Sequence, residues 1–136
     1  MRIRVLAAGA AVFGALIFAM PGVASAAPPT VPFQINPAAF GNPNGSFDVP
    51  AVRCVAEIGR GTATITGGRP DRWGCIPGAD VHWVNLSTGA TGYAKLGPGL
   101  NGVVPQAVLL TGRGQIALTI LASGIITPGF ATFAVP

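Results

Sequence analysis

The chain has 136 residues, of which only 9% are Asp, Glu, Lys or Arg, against 20 glycines and 13 prolines. With Arg2 and Arg4 assigned to an export segment, Arg53, Arg60, Arg69, Arg72, Lys95 and Arg113 face Asp48, Glu57, Asp71 and Asp80, an excess too small and too scattered for a nucleic-acid-binding surface. The remaining length, about 110 residues, excludes two independent cores.

The first element in chain order is a helical secretory signal peptide over 1–26. Arg2 and Arg4 precede an apolar run, Pro21 and Gly22 break it, and Ala24-Ser25-Ala26 is a small-residue cleavage pattern. The apolar run is shorter than a membrane-spanning helix, which predicts membrane contact only through the signal peptide during export. The mature protein is therefore expected to be secreted or to stay in the cell envelope after cleavage near Ala26. One lysine against seven arginines, with abundant Ala, Gly and Pro, is the composition of a GC-rich bacterial genome. A surface so poor in charge repels its neighbours weakly, which leaves self-association open.

Residues 27–50 form a Pro-rich N-terminal segment, with prolines at 28, 29, 32, 37, 43 and 50, too closely spaced for a helix. An edge strand is predicted over 31–36 and a turn at Asn44-Gly45. Residues 51–136 carry the core. Strand-like runs fall at 51–58 (AVRCVAEI), 62–66 (TATIT), 81–86 (VHWVNL), 91–96 (TGYAKL), 103–110 (VVPQAVLL), 115–122 (QIALTILA) and 130–135 (FATFAV). In the sixth run Ile116, Leu118 and Ile120 alternate with Gln115, Ala117 and Thr119, a period of two. Short alternating runs punctuated by Gly and Pro predict an all-β chain, a single small β-sandwich of about seven strands, immunoglobulin-like in architecture.

Cys54 and Cys75 are the only cysteines, and in an exported chain they are expected to form a disulfide with each other. Closing that loop stabilises a fold by about 3 kcal/mol in the chain-entropy model. Their spacing to Trp83 departs from the immunoglobulin pattern, in which the tryptophan lies between two more distant cysteines.

The stretch 68–83 (GRPDRWGCIPGADVHW) gathers both tryptophans and the only histidine. Its glycines and prolines predict a loop over 69–79, pinned through Cys75, and then a strand with Val81 and Trp83 on one face and Asp80, His82 and Val84 on the other. Trp83 is the core anchor, expected to pack on the disulfide. Trp73, flanked by Arg72 with Arg69 nearby, has the composition of a binding hot spot, its alternative being to fold back as a cap on the sandwich end. Asp80 could orient His82, with Ser46, Ser87 or Ser123 completing a nucleophilic set, but no elbow or oxyanion loop surrounds those serines. His82, Asp80 and Asp71 lack metal-site spacing, and no cofactor fingerprint is present.

Two Gly-Arg-Gly turns, 59–61 and 112–114, each open an alternating strand, as equivalent hairpins in two sheets would. The runs 103–110 and 115–122 could form one long hairpin about the second turn, and a hairpin of that length could build an oligomeric envelope channel or surface assembly. Sequons stand at Asn44 and Asn85. The expectation is a non-enzymatic, exported binding or structural module whose partner is a protein or glycan at the cell surface, with Trp73, Arg72, Arg69, His82 and Asp80 as candidate binding residues. A small secreted hydrolase using His82 is the remote alternative.

Overall fold

A computed structural model describes residues 27–39, 52–124 and 126–136. The expected signal segment, the expected turn at Asn44-Gly45 and Ser46 lie outside the described residues. Among the described residues the strands are β1 (Thr30–Pro32), β2 (Ala38–Ala39), β3 (Cys54–Ile58), β4 (Ala63–Gly67), β5 (Asp80–Asn85), β6 (Thr91–Lys95), β7 (Ala107–Leu109), β8 (Gly114–Leu121), β9 (Ile126–Thr127) and β10 (Gly129–Val135). They form two four-stranded antiparallel sheets, β1-β3-β4-β7 (sheet A) and β10-β8-β5-β6 (sheet B), with a small β2-β9 pair beside them. There is no helix among the described residues.

Alternation builds the core. On sheet A, Ala56, Ile58, Ala63, Ile65 and Leu109 are buried, and on sheet B, Val81, Ile116, Leu118, Ile120, Ala131, Phe133 and Val135 join them in one hydrophobic cluster. Full burial of each large aliphatic side chain stabilises the fold by about 1.5–3 kcal/mol. The partner residues in the same strands, among them Glu57, Thr64, His82 and Thr119, point the other way, which gives the sandwich-like layering its two outer faces.

Edges and connections follow from local chemistry. β1 forms an edge of sheet A, where Pro32 costs no ladder bond. On the edge of sheet B, the Gln34 carboxamide stands in for a strand: its Nε2 donates to Thr132 O at 3.0 Å and its Oε1 accepts from Thr132 N at 2.9 Å. Ile35 adds a two-bond bridge to Phe130. Together they satisfy an edge that would otherwise be open to pairing with another chain.

Two expectations are corrected. The runs 103–110 and 115–122 do not form a hairpin: β7 pairs with β4 in sheet A, whereas β8 lies between β10 and β5 in sheet B. Pro105 is buried before β7 begins, so only three residues of the first run enter a ladder. The two Gly-Arg-Gly turns are accordingly not equivalent, the first closing the β3–β4 hairpin and the second crossing between sheets. Trp83 packs against the core with its indole on Gly92 of β6, where a Cβ would overlap the ring. That contact pairs a large ring with the smallest residue across the β5–β6 pair.

Candidate functional site

The disulfide joins Cys54 to Cys75 with a Cα–Cα separation of 4.7 Å, and both cysteines are buried. It pins the loop over 69–79 as the glycines and prolines predict. Backbone bonds from Arg53 N to Gly74 O and from Gly68 N to Arg53 O hold the same loop to the start of β3. The loop folds back on sheet A: Arg72 O accepts from Gly67 N and from Thr66 Oγ1, and Thr66 is fully buried beneath it. Arg72 takes a positive φ of 65° there, and its guanidinium reaches Glu57 at 3.8 Å.

Trp73 is half-buried on this loop. Its ring and Pro77 lie over Gly99, where a Cβ would come within 3.3 Å and 3.1 Å of them, and Trp73 N is tied to Asp71 Oδ1 at 3.0 Å. The fold thus places Arg69, Arg72 and Trp73 on a loop packed against sheet A, and Asp80 and His82 on the outer face of sheet B.

That outer face has a regular grid set by strand register. One row across the four strands is Phe130, Thr119, His82 and Tyr93; the next is Thr132, Ala117, Val84 and Thr91; on the other side Leu121, Asp80 and Lys95 stand in line. The small side chains of Ala117 and Thr119 on β8 leave a depression of about 260 Å³, bounded by Phe130 on one flank and by His82 and Val84 on the other. The His82 and Tyr93 rings lie 5.1 Å apart, tilted by 58°, so the aromatic wall continues onto β6.

At the end of the grid the Lys95 ammonium donates to Asp80 Oδ1 at 2.9 Å, and the Tyr93 hydroxyl donates to the same oxygen at 2.8 Å. Those two bonds, Lys95 first, hold the Asp80 carboxyl below its ordinary 3.8, and the carboxylate in turn raises both partners. Asp80 is therefore engaged across the β5–β6 pair instead of orienting His82. Ser87 accepts from Gln115 N at the opposite end of β5, so this serine is not brought to Asp80 and His82. Asp71, Asp80 and His82 do not form a group able to hold a metal ion.

Phe130, Tyr93, Lys95, Thr119 and Ala117 are the members of this face that sequence reasoning missed. Alternation places each on an outward position, but only the pairing order β10-β8-β5-β6 puts them side by side. No protein-family model, no curated protein and no solved structure matches this chain.

Proposed function

We propose that this chain is an exported, non-enzymatic β-sandwich binding module, held in the envelope or released outside the cell, whose ligand is a glycan lying on the outer face of sheet B. The observation that carries the reading is the aromatic-flanked depression over Ala117 and Thr119, with Phe130 and His82 as its walls. Aromatic rings present an apolar surface to the C–H face of a sugar, while hydroxyl and charged groups around them supply directed hydrogen bonds. Thr119, Tyr93 and the Asp80–Lys95 pair offer such groups within the same grid. The disulfide suits an oxidising compartment. An immunoglobulin-like layout is part of the proposal: sheet B, with its last two strands beside β5 and β6, follows that order, while the β3–β4 hairpin of sheet A departs from it.

The test is retention of the purified protein on polysaccharide prepared from the envelope of the native host. Phe130→Ala should lower retention at least tenfold with the fold kept, read as a melting temperature still well above that of the assay, since Phe130 is 37% exposed. Equal retention of the variant and the parent would remove the face as the site. A sedimentation profile that shows a dimer broken by the same substitution would instead assign the face to self-association. The channel alternative loses its structural premise with the hairpin that 103–122 does not form.

A further inference from the structure

The two Gly-Arg-Gly turns, unrelated as hairpins, converge at one end of the sandwich. Gly61 N donates to Pro136 O at 3.0 Å and Gly112 N donates to Gly61 O at 3.0 Å, so the turns and the last residue are tied together. Gly61, just after Arg60, and Gly112, just before Arg113, take φ values of 67° and 70°, a conformation that favours glycine. Arg60 and Arg113 then line one open cleft of about 360 Å³ together with Pro136. Among the described residues neither arginine is in an ion pair, whereas Arg72 pairs with Glu57 and Lys95 with Asp80.

Two leucines accompany them. Leu86 is 61% exposed on the β5–β6 turn and Leu110 is 77% exposed on the β7–β8 connection. Asn85 fastens the β5–β6 turn to the Arg113 turn, donating to Thr111 O and Arg113 O while accepting from Ser87 N and Thr88 N. The chain also enters the fold here, because Ile58 N donates to Pro29 O beside the first Gly-Arg-Gly turn.

We infer that this end of the sandwich docks on an anionic phospholipid membrane, with Arg60 and Arg113 taking headgroup phosphates and Leu86 and Leu110 entering the boundary of the acyl region. Guanidinium groups bind phosphate oxygens through paired N–H donors. A soluble anion would engage the arginines but has no use for exposed leucines beside them, whereas a membrane surface takes up both. The inference shares with the proposed function only the premise of export, and it uses a different part of the surface from the sheet B depression.

Flotation of the purified exported protein with vesicles of phosphatidylglycerol in phosphatidylcholine, and with phosphatidylcholine alone, tests it at low salt. Binding is expected only to the anionic vesicles. Each arginine near an anionic surface is worth about fivefold in partitioning, so Arg60→Gln with Arg113→Gln should weaken binding about thirtyfold. Arg53→Gln with Arg69→Gln, the same charge change at the other end, should leave it within a factor of two or so of the parent. Leu86→Ser with Leu110→Ser should also weaken it while the melting temperature holds. Absence of vesicle binding by the parent would overturn the inference, as would equal loss in the two arginine pairs. Inorganic phosphate shifting the Gly61 and Gly112 amide resonances without vesicle binding would overturn it in favour of a soluble-anion site. Retained flotation of Phe130→Ala would show that the two surfaces stand or fall separately.

Discussion

Asn85 uses its whole hydrogen-bonding capacity inside the protein. Its side chain is fully buried; the two amide hydrogens go to the carbonyls of Thr111 and Arg113, and the oxygen takes the N–H groups of Ser87 and Thr88 at 2.9 and 3.1 Å. A carboxamide so placed has no free hydrogen to exchange for a sugar, so the Asn85 sequon marks a structural residue. Asn85→Ala would strip partners from two carbonyls and two amides at once. Leaving buried polar groups unmatched costs about 1–3 kcal/mol each where water cannot reach them, and the turn lets water recover part of that. The expected net loss is about 3 kcal/mol, a fall in melting temperature of roughly 15 °C for a domain of this size. Thermal unfolding followed by circular dichroism checks it; a shift below about 3 °C would mean that water replaces the side chain.

At the scale of elements, the β5–β6 pair carries an ionic cluster whose pH dependence has a defined sign. Lys95 and Tyr93 hold the Asp80 carboxyl below 3.8, so its pairing favours the folded chain above the unfolded value and fades as pH falls through the lower folded one. Lys95, raised above 10.5 by the same carboxylate, keeps its share below that pH and loses it above. A carbon-13 titration of the Asp80 carboxyl should show a midpoint below 3.8 that moves upward in Lys95→Met. An unmoved midpoint would show that the ammonium is not its main partner. β5 and its neighbour β8 were legible because Val81, Trp83 and the run Ile116, Leu118, Ile120 alternate over enough residues to fix their inward face. β7 was not. Its three residues, Ala107, Val108 and Leu109, follow a buried proline and lead into a crossing whose course is set by the Asn85 side chain, a contact between positions 26 and 28 residues apart. The β10 edge was equally hidden, since Gln34 pairs with Thr132 through its side chain and leaves no periodic signal.

For the whole molecule, one cross-link ties the loop between β4 and β5 to the first long strand of sheet A. The bond spans 21 residues, and the chain-entropy model assigns such a closure about 3 kcal/mol, a large fraction of the stability available to a small domain. The same cysteines are 1% and 5% exposed, with Cys54 N held by the Asn36 carboxamide at 2.8 Å. A reductant therefore cannot reach the sulfurs in the closed fold, and reduction must wait for the loop over 69–79 to lift. Its far end is fixed by Gly78 N to Gly97 O, by Leu96 N to Ala79 O and by buried Ala79, whereas residues 69–74 are held by backbone bonds to Arg53 and Gly67, by Thr66 and by the part-exposed Arg72–Glu57 pair, so that half should open without global unfolding. Reduction by a small thiol is then expected to be slow, to saturate with thiol concentration at the opening rate, and to speed up in Arg72→Gln while the melting temperature changes little. Mass spectrometry of alkylated samples over time reads this directly. A rate that tracks the urea-dependent global unfolding rate would show instead that loop and sandwich open as one unit.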